Sequence, residues 1–142
     1  MSFKLLLLPI LVCTCIFVHA QKNKGTDEEI QTPISEEKGL IKISVMYPYG
    51  EGNTFDMEYY TQKHMPMVAS YLGKNLVRYT IEKGLASGIP NAPLPYLAIG
   101  TFYIHDLGKY KEAIAPNIES IRADFPNYTN TVPVILVSEV VY

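Results

Sequence analysis

Leu40-Ile41-Lys42-Ile43-Ser44-Val45-Met46-Tyr47 opens the part of this chain that can fold. Ile41, Ile43, Val45 and Tyr47 fall on one side of an extended backbone, with Lys42 and Ser44 on the other. That period of two predicts a strand with one face toward a core. Pro48 to Asn53 carries Pro and Gly and reads as a loop. A helix is expected to start after a cap at Asn53 or Thr54, with Asp56 and Glu58 in its first turn, where the helix dipole favours negative charge. Phe55 and Tyr59 form one row on it; Met57, Tyr60 and His64 form another. Pro66 pushes Met65 away from helical angles, which predicts a break or kink there. Met67 to Leu72 resumes the helix and Gly73 ends it.

The same reading continues to the C-terminus. Leu76 to Lys83 alternates and predicts a second strand, followed by a Gly- and Pro-rich loop to Pro95. Tyr96 to Tyr103 is apolar on both faces, as in a central strand covered on two sides. Asp106 is placed to cap a second helix carrying Leu107, Tyr110, Ile114, Ile118 and Ile121 at helical spacing, interrupted at Pro116. Phe125 to Thr131 is a loop, and Val132 to Val141 a Val-rich last strand. The order β-α-β-β-α-β predicts an α+β, ferredoxin-like domain. Its four-stranded antiparallel sheet would carry two helices on one face. The other face then needs a cover, and a second copy of the sheet supplies one, so a homodimer is expected.

Composition points the same way. Of the 142 residues 48% are hydrophobic and only 18% charged, so a single small core has difficulty hiding all the apolar surface. Eleven tyrosines add area suited to interfaces and pockets. The formal charge of -2, without any run of Lys or Arg, gives a phosphate backbone no track of cations, which excludes nucleic acid as the expected partner.

The first residues read as an export signal. Lys4 supplies a positive charge, Leu5 to Val18 is almost wholly apolar, and Val18-His19-Ala20 offers a cleavage site before Gln21. Residues 1–20 are therefore assigned as a signal peptide and the product as exported, periplasmic or secreted. The apolar stretch is shorter than the roughly 20 residues that span a bilayer, so no stable membrane span is expected after cleavage. An uncleaved anchor and lipidation at Cys15 are the other readings. Cys13 and Cys15 both lie in this segment, and cleavage leaves no thiol for disulfide, nucleophile or metal site. Residues 21–38 are polar and charged, a linker without apolar period, and residues 39–142 form the folded domain.

Several motifs in that domain resemble the EthD family. Phe55-Asp56-x-x-Tyr59-Tyr60-x-x-x-His64-Met65-Pro66-Met67-Val68, then Leu72-Gly73, resembles its first-helix signature. Glu82-Lys83-Gly84-Leu85-Ala86 with Pro95-Tyr96-x-Ala98 resembles its second and third strands, and Pro126-Asn127-Tyr128-Thr129-Asn130 its C-terminal region. The resemblance runs from about Ile41 to Val141. It implies a ferredoxin-like subunit pairing sheet to sheet into a dimeric α/β barrel, and a loose label of oxidoreductase. Members of the wider superfamily include cofactor-free monooxygenases, isomerases, cyclases and haem enzymes. Two features depart from the family pattern: the export signal, and Asn117 after Pro116 where a His is common.

His64 is the first candidate for chemistry, because its pKa allows proton transfer near neutrality. It acts as acid/base or, alternatively, caps the broken helix by bonding a free carbonyl. Tyr60, one turn earlier, is placed to bond it or a substrate oxygen. Tyr47, Tyr79 and Tyr128 are candidate substrate-binding donors, or ordinary packing residues. Asn130, with Asn127, orients a ligand or serves the turn around Pro126. His105 beside the cap is expected to be exposed. Gly50-Glu51-Gly52 lacks a phosphate-binding pattern, and two separated histidines without Cys make no zinc set, so no cofactor and no metal are expected. The expected function is cofactor-independent oxidoreductase, monooxygenase or isomerase-type proton-transfer chemistry on a small apolar or aromatic molecule. The alternative is an exported dimer that binds such a ligand without turnover.

Overall fold

A computed structural model describes residues 37–142. The signal peptide and all but the last two residues of the linker assigned above lie outside the described residues.

The chain alternates as expected: β1 is Ile41–Pro48, β2 Leu76–Lys83, β3 Tyr96–Ile104 and β4 Val134–Glu139. The sheet order is β2-β3-β1-β4, with every neighbouring pair antiparallel. The split βαββαβ order thus yields an α+β domain with a four-stranded antiparallel sheet. β4 is shorter than the apolar run that encodes it. It occupies an edge, and Val134, Ile135, Leu136 and Val137 are all about half exposed there. A strand apolar on both faces is therefore an edge strand here, and the central positions belong to β1 and β3.

Register sorts the side chains. Ile43, Val45 and Tyr47 of β1 share a face with Ala98, Gly100 and Phe102 of β3. Ile43, Tyr47, Ala98 and Phe102 are buried against the helices together with Tyr60, Met65, Val68, Leu72, Ile121 and Tyr128. The opposite face carries Lys42, Ser44 and Met46 of β1 with Tyr103, Thr101 and Ile99 of β3. On it the Arg78 guanidinium lies 3.7 Å from the centre of the Tyr103 ring and pairs with Glu37.

The first helix departs from expectation in an informative way. It is capped by Asp56, whose Oδ1 accepts the Tyr59 N–H, and not by Asn53 or Thr54. It comprises an α-helical turn α1, Met57–Tyr59, a π-helical turn, Tyr60–His64, and α2, Met65–Leu72. Pro66 does not break it. The Met65 N–H reaches back to the Tyr60 carbonyl, so the chain enters the proline through a wider turn and continues. Pro66 then occupies the first turn of α2, where a missing N–H costs little. Inserted π turns of this kind are often found at functional sites. Gly73 ends the helix with a positive φ of 50°.

The second helix follows the reading more closely. Asp106 caps α3, Leu107–Ile114, by accepting the Lys109 N–H. Pro116 sits in a 3-10 turn, Ala115–Asn117, after which α4 runs over Ile118–Ala123.

Gly100 is the point where helix and sheet approach most closely. A β-carbon there would lie 2.1 Å from the Tyr60 hydroxyl and 3.1 Å from the Met65 sulfur. Only glycine lets Tyr60 lie flat across β3, and this sets the position of the π turn above the sheet.

Candidate active site

The site begins with the π turn, which stacks the Tyr60 and His64 rings at 5.5 Å and 17°. Both are buried, at 1% and 4% exposure. His64 bonds no helix carbonyl. Its Nδ1 lies 2.8 Å from Oδ2 of Asp124, the residue that closes α4. Its Nε2 lies 3.2 Å from the Tyr128 hydroxyl, which in turn lies 2.8 Å from the Tyr47 hydroxyl. The Tyr60 hydroxyl interacts with that of Tyr47 at the far end. A chain of polar groups thus crosses the aromatic core from β1 to the end of α4.

Asp124 anchors it. Its Oδ1 accepts the Tyr59 hydroxyl at 2.7 Å and the Asn127 amide at 2.8 Å. Burial alone would raise its pKa, but the hydrogen bonds from His64, Asn127 and Tyr59 together hold the carboxyl below its ordinary range. Burial pushes His64 below its usual value of 6.5, and Asp124 opposes that shift without cancelling it. Burial is also the first cause that raises Tyr47, Tyr60 and Tyr128 well above the ordinary phenol value.

These protonation states fix the direction of every bond. An ionised Asp124 only accepts, so His64 Nδ1–H donates to it. The neutral ring then has an acceptor at Nε2, so the Tyr128 O–H donates to His64. With that proton committed, the Tyr47 O–H donates to Tyr128. The donors run one way, from the sheet through Tyr128 and His64 to Asp124. A proton taken up at Tyr128 can pass to the imidazole, where the adjacent carboxylate stabilises the cation.

Two cavities flank the chain. An open cleft of about 960 Å³ lies between residues 54–57, residues 125–132 and Lys83. Among the members of the hydrogen-bonded chain only Tyr128 lines it. A more enclosed apolar chamber of about 250 Å³ lies between the two helices and the sheet. Its walls include Val45, Val68, Phe102, Ile114, Ile121 and Tyr110. Burial raises the pKa of Tyr110. Phe125 and Val132 border both spaces.

Four of the six residues singled out in the sequence therefore meet: His64, Tyr60, Tyr47 and Tyr128. Tyr60 stacks on His64 and does not bond it. The other two lie elsewhere. Tyr79 is 36% exposed on β2, packs against Phe102 and lines neither cavity. Asn130 borders the cleft, but its amide is spent on the Thr54 N–H and the Gly52 carbonyl, which ties one loop to the other. Asn127 serves Asp124 and Tyr59, and His105 is exposed. Asp124 escaped the sequence reading, although a signal existed. A carboxylate at a helix C-terminus faces the negative end of the dipole and needs another reason to be there. Among the described residues no group of three His, Cys, Asp or Glu side chains is placed to hold a metal ion, and no helix is long and apolar enough to cross a membrane.

Fold and site together define a ferredoxin-like α+β domain with a buried Asp–His–Tyr hydrogen-bonded chain. No protein-family model and no curated protein matches the chain. Solved structures do. A crystal structure of an EthD-like protein from Ralstonia eutropha is 42% identical, with a TM-score of 0.69, over 74% of this chain and 95% of that one. An ethyl tert-butyl ether D (EthD) family protein from Bacillus halodurans shares the fold at 15% identity and a TM-score of 0.51, over 70% of this chain and 97% of that one. The chain belongs to the EthD-like family.

The shifts have a consequence for stability. A His whose folded pKa is lowered contributes fully above its unfolded value, and the contribution is lost as pH falls, because the unfolded chain takes the proton first. Asp124, also lowered, follows the same sign in a more acidic window. The urea midpoint should fall between about pH 7 and about pH 5, and His64→Gln should flatten that fall. A wild-type midpoint that rises in this interval, or a slope unchanged by the substitution, contradicts the assignment.

Proposed function

We propose that this domain is a cofactor-independent enzyme that moves a proton on a small oxygenated molecule. The substrate would lie in the cleft against Tyr128, with His64 as acid/base and Asp124 holding its tautomer. The observation that carries this reading is the His64 ring, buried with both nitrogens bonded, between a carboxylate and a tyrosine that borders a cleft. A structural histidine needs only satisfied nitrogens. A one-way chain in which one member, Tyr128, borders a cavity also supplies a route for a proton. Tyr60 and Tyr47 support the relay from the sheet side and do not reach the cleft. Burial keeps the phenols protonated, and the Tyr128 O–H is committed to His64, so Tyr128 acts as a proton conduit between the cleft and the imidazole, and not as a standing phenolate.

A second reading has its own support. The apolar chamber contains neither His64 nor Tyr60, and the Tyr110 hydroxyl on its wall has no hydrogen-bond partner among the described residues. That arrangement suits a small apolar ligand with one acceptor, held without turnover. Deuterium exchange separates the two readings. Small aromatic ketones and lactones, followed by NMR in deuterated buffer, should exchange protons next to the carbonyl in the presence of the protein. His64→Gln should slow that exchange by about 10²- to 10⁴-fold. A panel that binds and does not exchange, or exchange untouched by His64→Gln, favours the binding reading.

We also propose that the domain is exported and works as a homodimer joined through the sheet face opposite the helices. Met46, Ile99 and Leu136 on that face, and the half-exposed edge strand, supply apolar area that a second copy would bury. Light scattering at micromolar concentration should give twice the subunit mass, and Leu136→Glu should lower it toward one subunit. A wild-type monomer would refute the assembly.

A further inference from the structure

The folded domain contains no Trp, and Cys13 and Cys15 lie ahead of it. Without an indole or a thiol, the phenols are the side chains from which one electron is most readily removed. All eleven tyrosines lie in that domain. A neutral phenol that loses an electron becomes a strong acid, so the electron leaves readily only when a base takes the proton in the same step. The placing of that base therefore decides which tyrosine is oxidised. The Tyr47 O–H is given to Tyr128, another phenol, and the Tyr59 O–H to the carboxylate of Asp124. The Tyr128 O–H is given to the His64 imidazole, at 3.2 Å. An imidazole is a far stronger base than a carboxylate or a phenol oxygen that keeps its proton.

The surroundings of Tyr128 suit the product of such a step as well as its start. Once His64 takes the proton, the imidazolium keeps its bond to Asp124 at 2.8 Å, so the new cation sits beside a carboxylate. Its Nε2–H then faces the oxygen that gave the proton. The Tyr47 hydroxyl, 2.8 Å away, still donates to that same oxygen. Two donors thus remain on the oxygen after oxidation, and the proton has a short way back. The Tyr128 ring is packed among Tyr60 at 5.1 Å, Phe55 at 5.4 Å and Phe125 at 5.8 Å, which shields it from water. It nonetheless borders the open cleft, beside Phe55, Met57 and Phe125. An electron can pass from the ring to a molecule in the cleft while the proton stays inside.

We propose that Tyr128 is a one-electron donor to a peroxyl radical in the cleft, with His64 as the acceptor of its proton. The Tyr128 O–H bond breaks and an N–H bond forms at His64 Nε2. Tyr128 is oxidised to a neutral tyrosyl. The peroxyl radical is reduced to the peroxide anion, which takes a proton from water and leaves as a hydroperoxide. The apolar part of the radical rests on the aromatic and thioether lining of the cleft. This activity goes beyond the proton-transfer reading and does not need it. Both use the direction of the Tyr128–His64 bond, but here no C–H bond of a substrate is touched.

The probe is the trichloromethylperoxyl radical, generated by pulse radiolysis in the presence of the full chain. Tyrosyl is followed by its optical absorption and by electron paramagnetic resonance. Wild type should give a tyrosyl component that outlives those of the exposed tyrosines. Tyr128→Phe should abolish that component, and Tyr79→Phe should leave it intact. His64→Gln should slow its formation by about 10²-fold. Deuterated water should slow it in the wild-type protein too, a readout that requires no variant to fold. The absence of a long-lived tyrosyl in wild type, its survival in Tyr128→Phe, or formation insensitive to His64→Gln and to deuterated water overturns the inference. Ketone exchange without a long-lived tyrosyl overturns it as well and leaves the proton-transfer reading standing. A His64-dependent tyrosyl without exchange supports it and removes the other.

Discussion

The 2.8 Å contact between the Asp124 carboxylate and the His64 ring joins two segments that are 60 residues apart. One is the π turn of the first helix and the other is the end of the second. Asp124 also gathers Tyr59 and Asn127, so one carboxylate ties the first helix, the second helix and the loop that follows it. The same contact chooses the tautomer of His64. That choice directs Tyr128, and Tyr128 directs Tyr47 on the central strand. Without it the core would hold several buried hydroxyls in competing arrangements, and partly satisfied networks of this kind are costly in a low-dielectric interior.

Local structure accommodates that contact at two places. The π turn delivers His64 to the start of α2 and absorbs a proline that would otherwise disrupt the helix. Gly100 removes a side chain from β3 so that Tyr60 can lie against the sheet. Both features bring the polar chain close to the strands while keeping it enclosed by Phe55, Phe125 and the tyrosine rings. The His64–Tyr128 centroid distance of 4.5 Å and the Tyr47–Phe55 distance of 4.8 Å mark a tightly packed aromatic cluster. Its rigidity is the condition for a proton path, because each donor must keep facing its acceptor.

Much of the fold was legible in the sequence because it is encoded in local periods. The alternation of Ile41 to Tyr47, the cap at Asp106 and the interruption at Pro116 each follow from neighbouring residues. The first helix was harder. Pro66 announced a disruption, but the wider turn that resolves it depends on packing over Gly100, which lies 34 residues further on. The site was half legible for the same reason. His64, Tyr60, Tyr47 and Tyr128 have the chemistry that invites attention, but their linkage is tertiary. Asp124 had only its unfavourable place at a helix terminus to give it away. Tyr79 looked equivalent to Tyr47 in its strand. Their different fates come from β2 being an edge and β1 central.

The direction of the hydrogen-bonded chain is the claim on which the functional account depends, and ¹⁵N chemical shifts of the His64 ring report it directly. At neutral pH the account predicts a neutral ring with its proton on Nδ1 and an unprotonated, hydrogen-bonded Nε2. A proton on Nε2, or an imidazolium, would mean that Tyr128 accepts from His64. The chain would then run the other way, and the proposed relay would be wrong.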